Sequence, residues 1–314
     1  AHEAAVTYIR IVAPFGPVTV VGMVCSGLLR AYGDARRSMN TTLAMALGNA
    51  VFDPLLMFGL GWGFVGAAWA TVIAIGMMAV TGLVPVLRVY GGFAMPTRAS
   101  FVANLPDIRA IMGPAVLTNL ATPIGGIIAF RLIADYGEAA VASYAVIGRI
   151  IPVAFCLLFS LSGSIGPIVG QNYGAGQIAR VRGAIDRAVL FAIGYTLLIW
   201  PVLILASDGI GAIFDLPAGG MDLIHAFAWL VVPLFFFNGL LFISNAAFNN
   251  LDRAGWSSWI SWGRNTIGVL PLAILGSSIG GAPGVLIGQA LGGVLFGLGA
   301  YWLTRHRVNQ LSLK

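Results

Sequence analysis

The chain reads as a succession of long apolar runs punctuated by glycine, proline and small clusters of charge. Nine runs stand out, at 4–30, 38–60, 64–88, 106–134, 139–170, 183–207, 221–250, 256–278 and 282–304. Each is long enough for a helix to cross the hydrocarbon core of a bilayer, which takes about 20 apolar residues. A membrane barrel would instead alternate apolar and polar positions over segments of about ten residues. Two runs exceed what a bilayer needs, and each holds a proline, Pro152 and Pro233. Tilt, a kink or protrusion accommodates the excess.

Composition excludes the soluble classes. Hydrophobic residues make up 59% of the 314 and charged residues 9%, with a mean hydropathy of +0.92, against roughly 25% charged in an average soluble domain. A water-soluble enzyme, a nucleic-acid-binding domain and a disordered chain all need more polar surface than this. The 42 glycines and 15 prolines suit membrane helices, where both are common.

The net charge of +6 comes from short loops. Arg30, Arg36 and Arg37 follow the first run, Arg88, Arg98 and Arg109 the third, and Arg180, Arg182 and Arg187 the fifth. Arg253 follows the seventh, and Arg305, Arg307 and Lys314 form the tail, so 13 of the 17 basic residues share one side. The alternate loops hold Asp135, Glu138, Asp208, Asp215 and Asp222. The basic side is therefore expected to be cytoplasmic, with the C-terminus inside, in a bacterial-type inner (plasma) membrane crossed many times. The bilayer is the expected partner and nucleic acid is not. Ala1 to Tyr8 has none of the regions of a signal peptide, and the chain reads as beginning part-way through something. Cys25 and Cys156 lie inside apolar runs and read as small buried hydrophobes.

The first three runs resemble the last three. Pro14 aligns with Pro233, Pro54-Leu55 with Pro271-Leu272, Gly59 with Gly276 and Gly66 with Gly284, at offsets of 217 to 219. Copies an even number of helices apart have the same orientation, which makes a parallel repeat. Symmetry then implies three helices before residue 1 and a whole of twelve in two lobes. On that reading 1–90 is half of the first lobe, 91–105 a cytoplasmic linker and 106–314 the second lobe.

An ionisable residue inside a membrane is costly and marks a candidate site. Of eleven acids, Asp53 alone falls well inside a run. Asn49 lies four residues earlier, on the same helix face. Pro54 has no N–H, which frees a carbonyl one turn back. Asp53 and Thr71 are each nine residues from Trp62, so an antiparallel turn there sets them at similar depth. These hard oxygen donors suit a proton or a sodium ion better than a soft metal. The alternative is an Asp that hydrogen-bonds Asn49 and locks the hairpin.

Other candidates carry less. Arg264 and Arg149 fall in or near the apolar zone, where arginines mostly bind carbonyls or snorkel, and Asn119 is a further polar residue for a cavity or for structure. Phe236 in its phenylalanine cluster and Trp259 in its tryptophan series read as packing or interface anchors, or as a cavity wall for cations. Gly61 to Gly66 matches G-x-G-x-x-G but follows no strand, so it reads as a turn. His2, His225 and His306 lack ligand spacing, and no metal site is expected. Ser164, in Gly163-Ser164-Ile165-Gly166, has no base on a neighbouring run, so a hydrolase is not expected.

Taken in order, these residues resemble a known family. Leu29-Arg30-Ala31-Tyr32-Gly33-Asp34, then Asn49-x-x-x-Asp53-Pro-Leu-Leu-Met-Phe-Gly59, then Gly66-Ala-Ala-Trp-Ala-Thr71 resemble the first-lobe pattern of the multidrug and toxic compound extrusion (MATE) transporters. Ala142-Ser-Tyr-Ala-Val-Ile-Gly-Arg149 and Gly166-Pro-Ile-Val-Gly-Gln-Asn-Tyr-Gly-Ala-Gly176, followed by Arg180, resemble the second. The resemblance implies an all-α integral membrane protein with a two-lobe, six-plus-six bundle, nine of whose helices are present. It implies no enzyme and no cofactor, but an antiporter, coupled to H⁺ or Na⁺, that exports amphipathic, often cationic compounds as a monomer. The family's first-lobe cation site joins an acid on the first helix to an Asn, an Asp and a Thr, and these three match Asn49, Asp53 and Thr71. Acids that some branches place in the second lobe are missing between Pro114 and Arg131 and between Phe227 and Asn249. A flippase for lipid-linked precursors and a non-transporting membrane scaffold are the alternatives.

Overall fold

Proline and glycine decide where the helices bend and turn. The computed structural model describes residues 2–93 and 97–312, apart from the side chains of His2, Ala4, Ile111, Pro114, Thr118, Ala121, Thr122 and Ala218. Ala94 to Pro96 of the expected linker, the His2 side chain and Lys314 therefore lie outside the described residues. Every regular element among the described residues is helical, and the chain divides into two units, Ala1–Phe101 and Val102–Lys314.

In the first unit, α1 (His2–Val12) passes through one 3₁₀ turn at Ala13–Phe15 into α2 (Gly16–Ala31). Pro14 and Pro17 sit at that junction, where each removes a backbone donor. Helix α3 (Ala35–Pro54) starts at Asp34, whose carboxylate accepts from the Arg37 N–H at 3.1 Å as an N-cap. After Pro54 the chain widens into a π-helical turn, Leu55–Gly59, with the Leu60 N–H on the Leu55 carbonyl at 2.9 Å. Gly61 (φ +68°) and Gly63 (φ +54°) then reverse the chain into α4 (Gly63–Val89), in a backbone region that favours glycine.

The α3–α4 hairpin is set by two close approaches. A Cβ on Gly48 would stand 3.1 Å from Ala74 Cα, and one on Gly66 would stand 2.7 Å from the Leu56 carbonyl. Both contacts centre the hairpin on Gly61. Helix α2 packs on the other flank of α4, where Gly22 meets Met78 and Gly82 meets Cys25, over a small core of Cys25, Leu29 and Val86.

Helix α5 (Arg98–Ala134) starts four residues ahead of the second unit and forms its first element. Helices α6 (Glu138–Ala154) and α7 (Cys156–Gly174) meet at Phe155 with a bend of 47°, three residues beyond Pro152. Cys156 opens α7 and is exposed, which corrects the expectation of a buried thiol; the bend turns inward Phe155, which stacks on Phe235 at 3.9 Å, and not its neighbour. Helix α8 (Ile178–Ile213) is followed by α9 (Ala218–Ala226), a π turn at Phe227–Val231 and α10 (Val232–Asn250). Helix α11 (Ala254–Gly263) runs through a third π turn, Arg264–Gly268, into α12 (Val269–Leu311). Helix α12 breaks at Gly280 and Gly281, the latter at φ 60° and ψ −143°. Past that break the chain folds back, and Gly284, Gly288 and Gly292 lie against the backbones of Gly276, Leu272 and Gly268. The core of this unit gathers Phe155, Leu158, Ile185, Ile243 and Val285.

Helical structure covers the interiors of all nine apolar runs. By length and composition, six helices among the described residues can cross a membrane, or seven if the bent pair α6–α7 is one span. That count takes Ala254–Leu311 as one stretch, although the chain folds back at Gly280–Gly281 between the last two runs, and α5 spans the run at 106–134.

Candidate functional site

The hairpin geometry positions the expected oxygen donors. With its centre at Gly61, Thr71 falls opposite Val51, midway in depth between Asn49 and Asp53. The sequence had centred the turn on Trp62; the Gly48–Ala74 and Gly66–Leu56 contacts centre the helix packing one residue earlier. Asn49 and Asp53 are one helical turn apart on α3, both half-buried, beside the face that Gly48 presents to α4.

Asp53 has no hydrogen bond or ion pair among the described residues, and the Asn49 Oδ1 is enclosed without a partner. The hairpin-locking Asp53–Asn49 hydrogen bond is therefore not formed. An enclosed amide oxygen without a donor costs about 1–3 kcal/mol, so its persistence beside an unpartnered carboxyl is a feature to explain. Pro54 contributes a further acceptor. The N–H that would reach the Ala50 carbonyl is missing, and Leu55 N–H bonds the carbonyls of Val51 and Phe52 instead.

Thr71 is joined to a residue that sequence reasoning missed. Its Oγ1 donates to the Ala67 carbonyl at 3.0 Å and lies 2.9 Å from the Tyr8 hydroxyl. With the threonine proton committed to Ala67, Tyr8 is the donor of that second bond. The sequence signal was a lone tyrosine in an apolar run, whose hydroxyl needs a partner once buried. Tyr8 of α1 is thus joined to Thr71 of α4, while Asn49 and Asp53 share a face of α3, which pairs with α4 in the same hairpin. A carboxyl, an amide oxygen, a hydroxyl and a carbonyl are the kinds of donor that suit a small hard cation or a proton.

The remaining candidates separate cleanly. Asn119 is exposed, and its amide donates back to the Ala115 carbonyl of its own helix at 2.9 Å. Phe236 packs on the second unit's core and edge-on against Phe237 at 5.2 Å. Trp259 points outward, 79% exposed, as a tryptophan at a lipid boundary would. Arg149 is exposed beside a cavity of about 520 Å³ lined also by Val153, Tyr195, Ile199 and Phe214. Arg264 was expected to bind carbonyls or snorkel. The carbonyl bond is not formed: Arg264 opens the π turn Arg264–Gly268, its Nε is enclosed, and it donates no hydrogen bond among the described residues. His225 pairs with Asp208 at 2.9 Å, and no cluster of metal-ligating residues exists among the described residues.

The comparisons with known proteins agree with this architecture. The MatE family model matches residues 1–55 and 114–275. An FAD transporter from Shewanella oneidensis is 30% identical over 301 residues, covering 92% of this chain and 65% of that protein. The multidrug export protein MepA of Staphylococcus haemolyticus is 24% identical, covering 89% of this chain and 62% of its own length. The chain thus spans less than two thirds of these relatives. Among solved structures, the Vibrio cholerae MATE transporter VcmN superposes with a TM-score of 0.83 at 24% identity, over 91% of this chain and 66% of VcmN. An outward-facing multidrug resistance MATE transporter superposes with a TM-score of 0.89 at 20% identity, over 99% of this chain and 70% of that one. By family match, relatives and fold, the chain belongs to the MatE family of membrane transporters.

Proposed function

We propose that this chain serves a cation-coupled exporter of amphipathic small molecules, with Asp53 as the coupling acid. The observation that carries the reading is the half-buried, unpartnered Asp53 one turn from the orphaned Asn49 Oδ1. A carboxyl held in apolar surroundings loads a proton or a sodium ion because either one relieves an uncompensated charge. Asn49 supplies a neutral oxygen, and Tyr8 orients Thr71 by donating to it. Loading and unloading then shift how α3 packs on α4, and alternating access follows from two packings of those helices. The relatives are named for FAD and for multiple drugs, which supports an aromatic, amphipathic cargo. The protein works in the bacterial inner membrane, with its C-terminus in the cytoplasm.

The test uses inverted vesicles containing the protein, driven in turn by a pH gradient and a Na⁺ gradient, with FAD and a fluorescent lipophilic cation as cargo. Uptake under one gradient that Asp53→Asn abolishes, at unchanged expression, is the expected result. Gradient-driven uptake that survives Asp53→Asn overturns the assignment of the acid.

A further inference from the structure

The second unit contains a charge with no counterpart. Arg264 lies ten residues into the helical stretch that opens at Ala254, about 15 Å along the axis, so it sits near mid-membrane. No acid occurs in 254–279, in 227–249 or in 282–304, nor between Pro114 and Arg131. Its Nε is enclosed without an acceptor; the Nη nitrogens donate to no described residue either, yet they are not enclosed, and the side chain as a whole keeps some exposure. The Nη end of the guanidinium is therefore the less enclosed part of a half-buried side chain whose neck is gripped by protein.

The surroundings are polar and incompletely bonded. Ser261 and Ser257 stand one and two turns before Arg264 on the same helix face, and the Ser257 hydroxyl is enclosed without a partner. Across from them, Asn245 of α10 donates to Ser261 Oγ at 3.4 Å. The backbone is pinned on both flanks. Gly263 and Gly268 lie against Phe296, and the Trp262 indole donates to the Leu117 carbonyl at 3.0 Å. A planar guanidinium fork with no acceptor of its own matches the oxygens of a phosphate.

A structural arginine in a membrane satisfies itself on backbone carbonyls or an acid; Arg264 uses neither. We propose that Arg264 is an anion-recognising residue, taking the phosphate or pyrophosphate of an amphipathic cargo. This deepens the export reading above and rests on it. A cargo of this kind brings the missing negative charge with it. A purely cationic drug meets repulsion there.

The same chemistry has two sources, a dinucleotide such as FAD and a prenyl pyrophosphate in the membrane. The test measures binding to the purified protein by tryptophan fluorescence, since Trp256, Trp259 and Trp262 lie on the same helix. Probes are FAD, riboflavin as the phosphate-free ring system, and farnesyl pyrophosphate. Wild type is expected to bind at least one pyrophosphate probe, and Arg264→Gln to weaken that binding by about tenfold or more. Riboflavin binding should be unchanged, and Arg264→Lys should retain part of the loss. Which pyrophosphate binds identifies the source. If neither pyrophosphate binds wild type, or if Arg264→Gln or Arg264→Lys leaves their binding intact, the proposal is overturned. Failure of gradient-driven uptake, with this binding pattern present, would instead fault the coupling reading alone.

Discussion

The Tyr8 hydroxyl donates to Thr71 Oγ1 at 2.9 Å, tying the first helix of the chain to the helix that carries the hydroxyl of the candidate cation site. Because Thr71 also donates to Ala67 at 3.0 Å, its lone pairs are aimed by two fixed partners. Tyr8→Phe should cost about 0.5–1.5 kcal/mol of stability and lower gradient-driven uptake several-fold. Thr71→Val in the same background should cost less than it does in wild type, because the shared Tyr8–Thr71 bond is already gone and only the bond to Ala67 is left to lose. Thermal melting and vesicle uptake of the two single variants and the double variant check this; additive losses would refute the coupling.

Asp34 caps α3 and accepts from Tyr90 at 2.9 Å and Arg37 Nη1 at 2.7 Å. The Arg37 backbone N–H foremost, with the Tyr90 and Arg37 side chains, holds its carboxyl below the usual carboxylate range. A depressed folded-state value contributes stability above the unfolded value of about 3.9 and loses it as pH falls through the folded one. Asp34→Ala should therefore melt earlier than wild type at neutral pH. That gap should narrow steadily below about pH 4, and melting curves across pH 3 to 7 read it directly.

Gly66 has no room for a side chain, since a Cβ there meets the Leu56 carbonyl at 2.7 Å. That carbonyl belongs to the π turn that follows Asp53 and Pro54. Gly66→Ala should destabilise by about 1–3 kcal/mol through overpacking. It should also reduce uptake more than Gly16→Ala, where a Cβ meets nothing within 4 Å.

Orientation is open to labelling. In a Cys156→Ser background the other cysteine, Cys25, is buried, so an introduced thiol is read alone. Ser312→Cys should react with a membrane-impermeant maleimide only from the cytoplasmic face, and Ser278→Cys only from outside. The reverse pattern would overturn the loop-charge reading.

The bends were legible because they are written in proline. Pro14 and Pro233 fall at a 3₁₀ turn and beside a π turn, and Pro152 precedes the bend at Phe155. The pairing of Asn49 with Asp53 was legible for the same kind of reason, since helix periodicity alone sets it. The Tyr8 hydroxyl was not, because a tyrosine 63 residues away on an apolar helix has no local mark of its partner.

What the sequence by itself determined was the solvent and the local geometry. Apolar runs without charge need a bilayer, and proline and glycine break or turn helices wherever they stand. The tertiary structure decided which faces meet. It centred the α3–α4 hairpin on Gly61, joined Tyr8 to Thr71 and left Arg264 without an acceptor. Those outcomes depend on packing between helices distant in the chain, and in a sequence so uniformly apolar many registers look alike until glycine contacts select one.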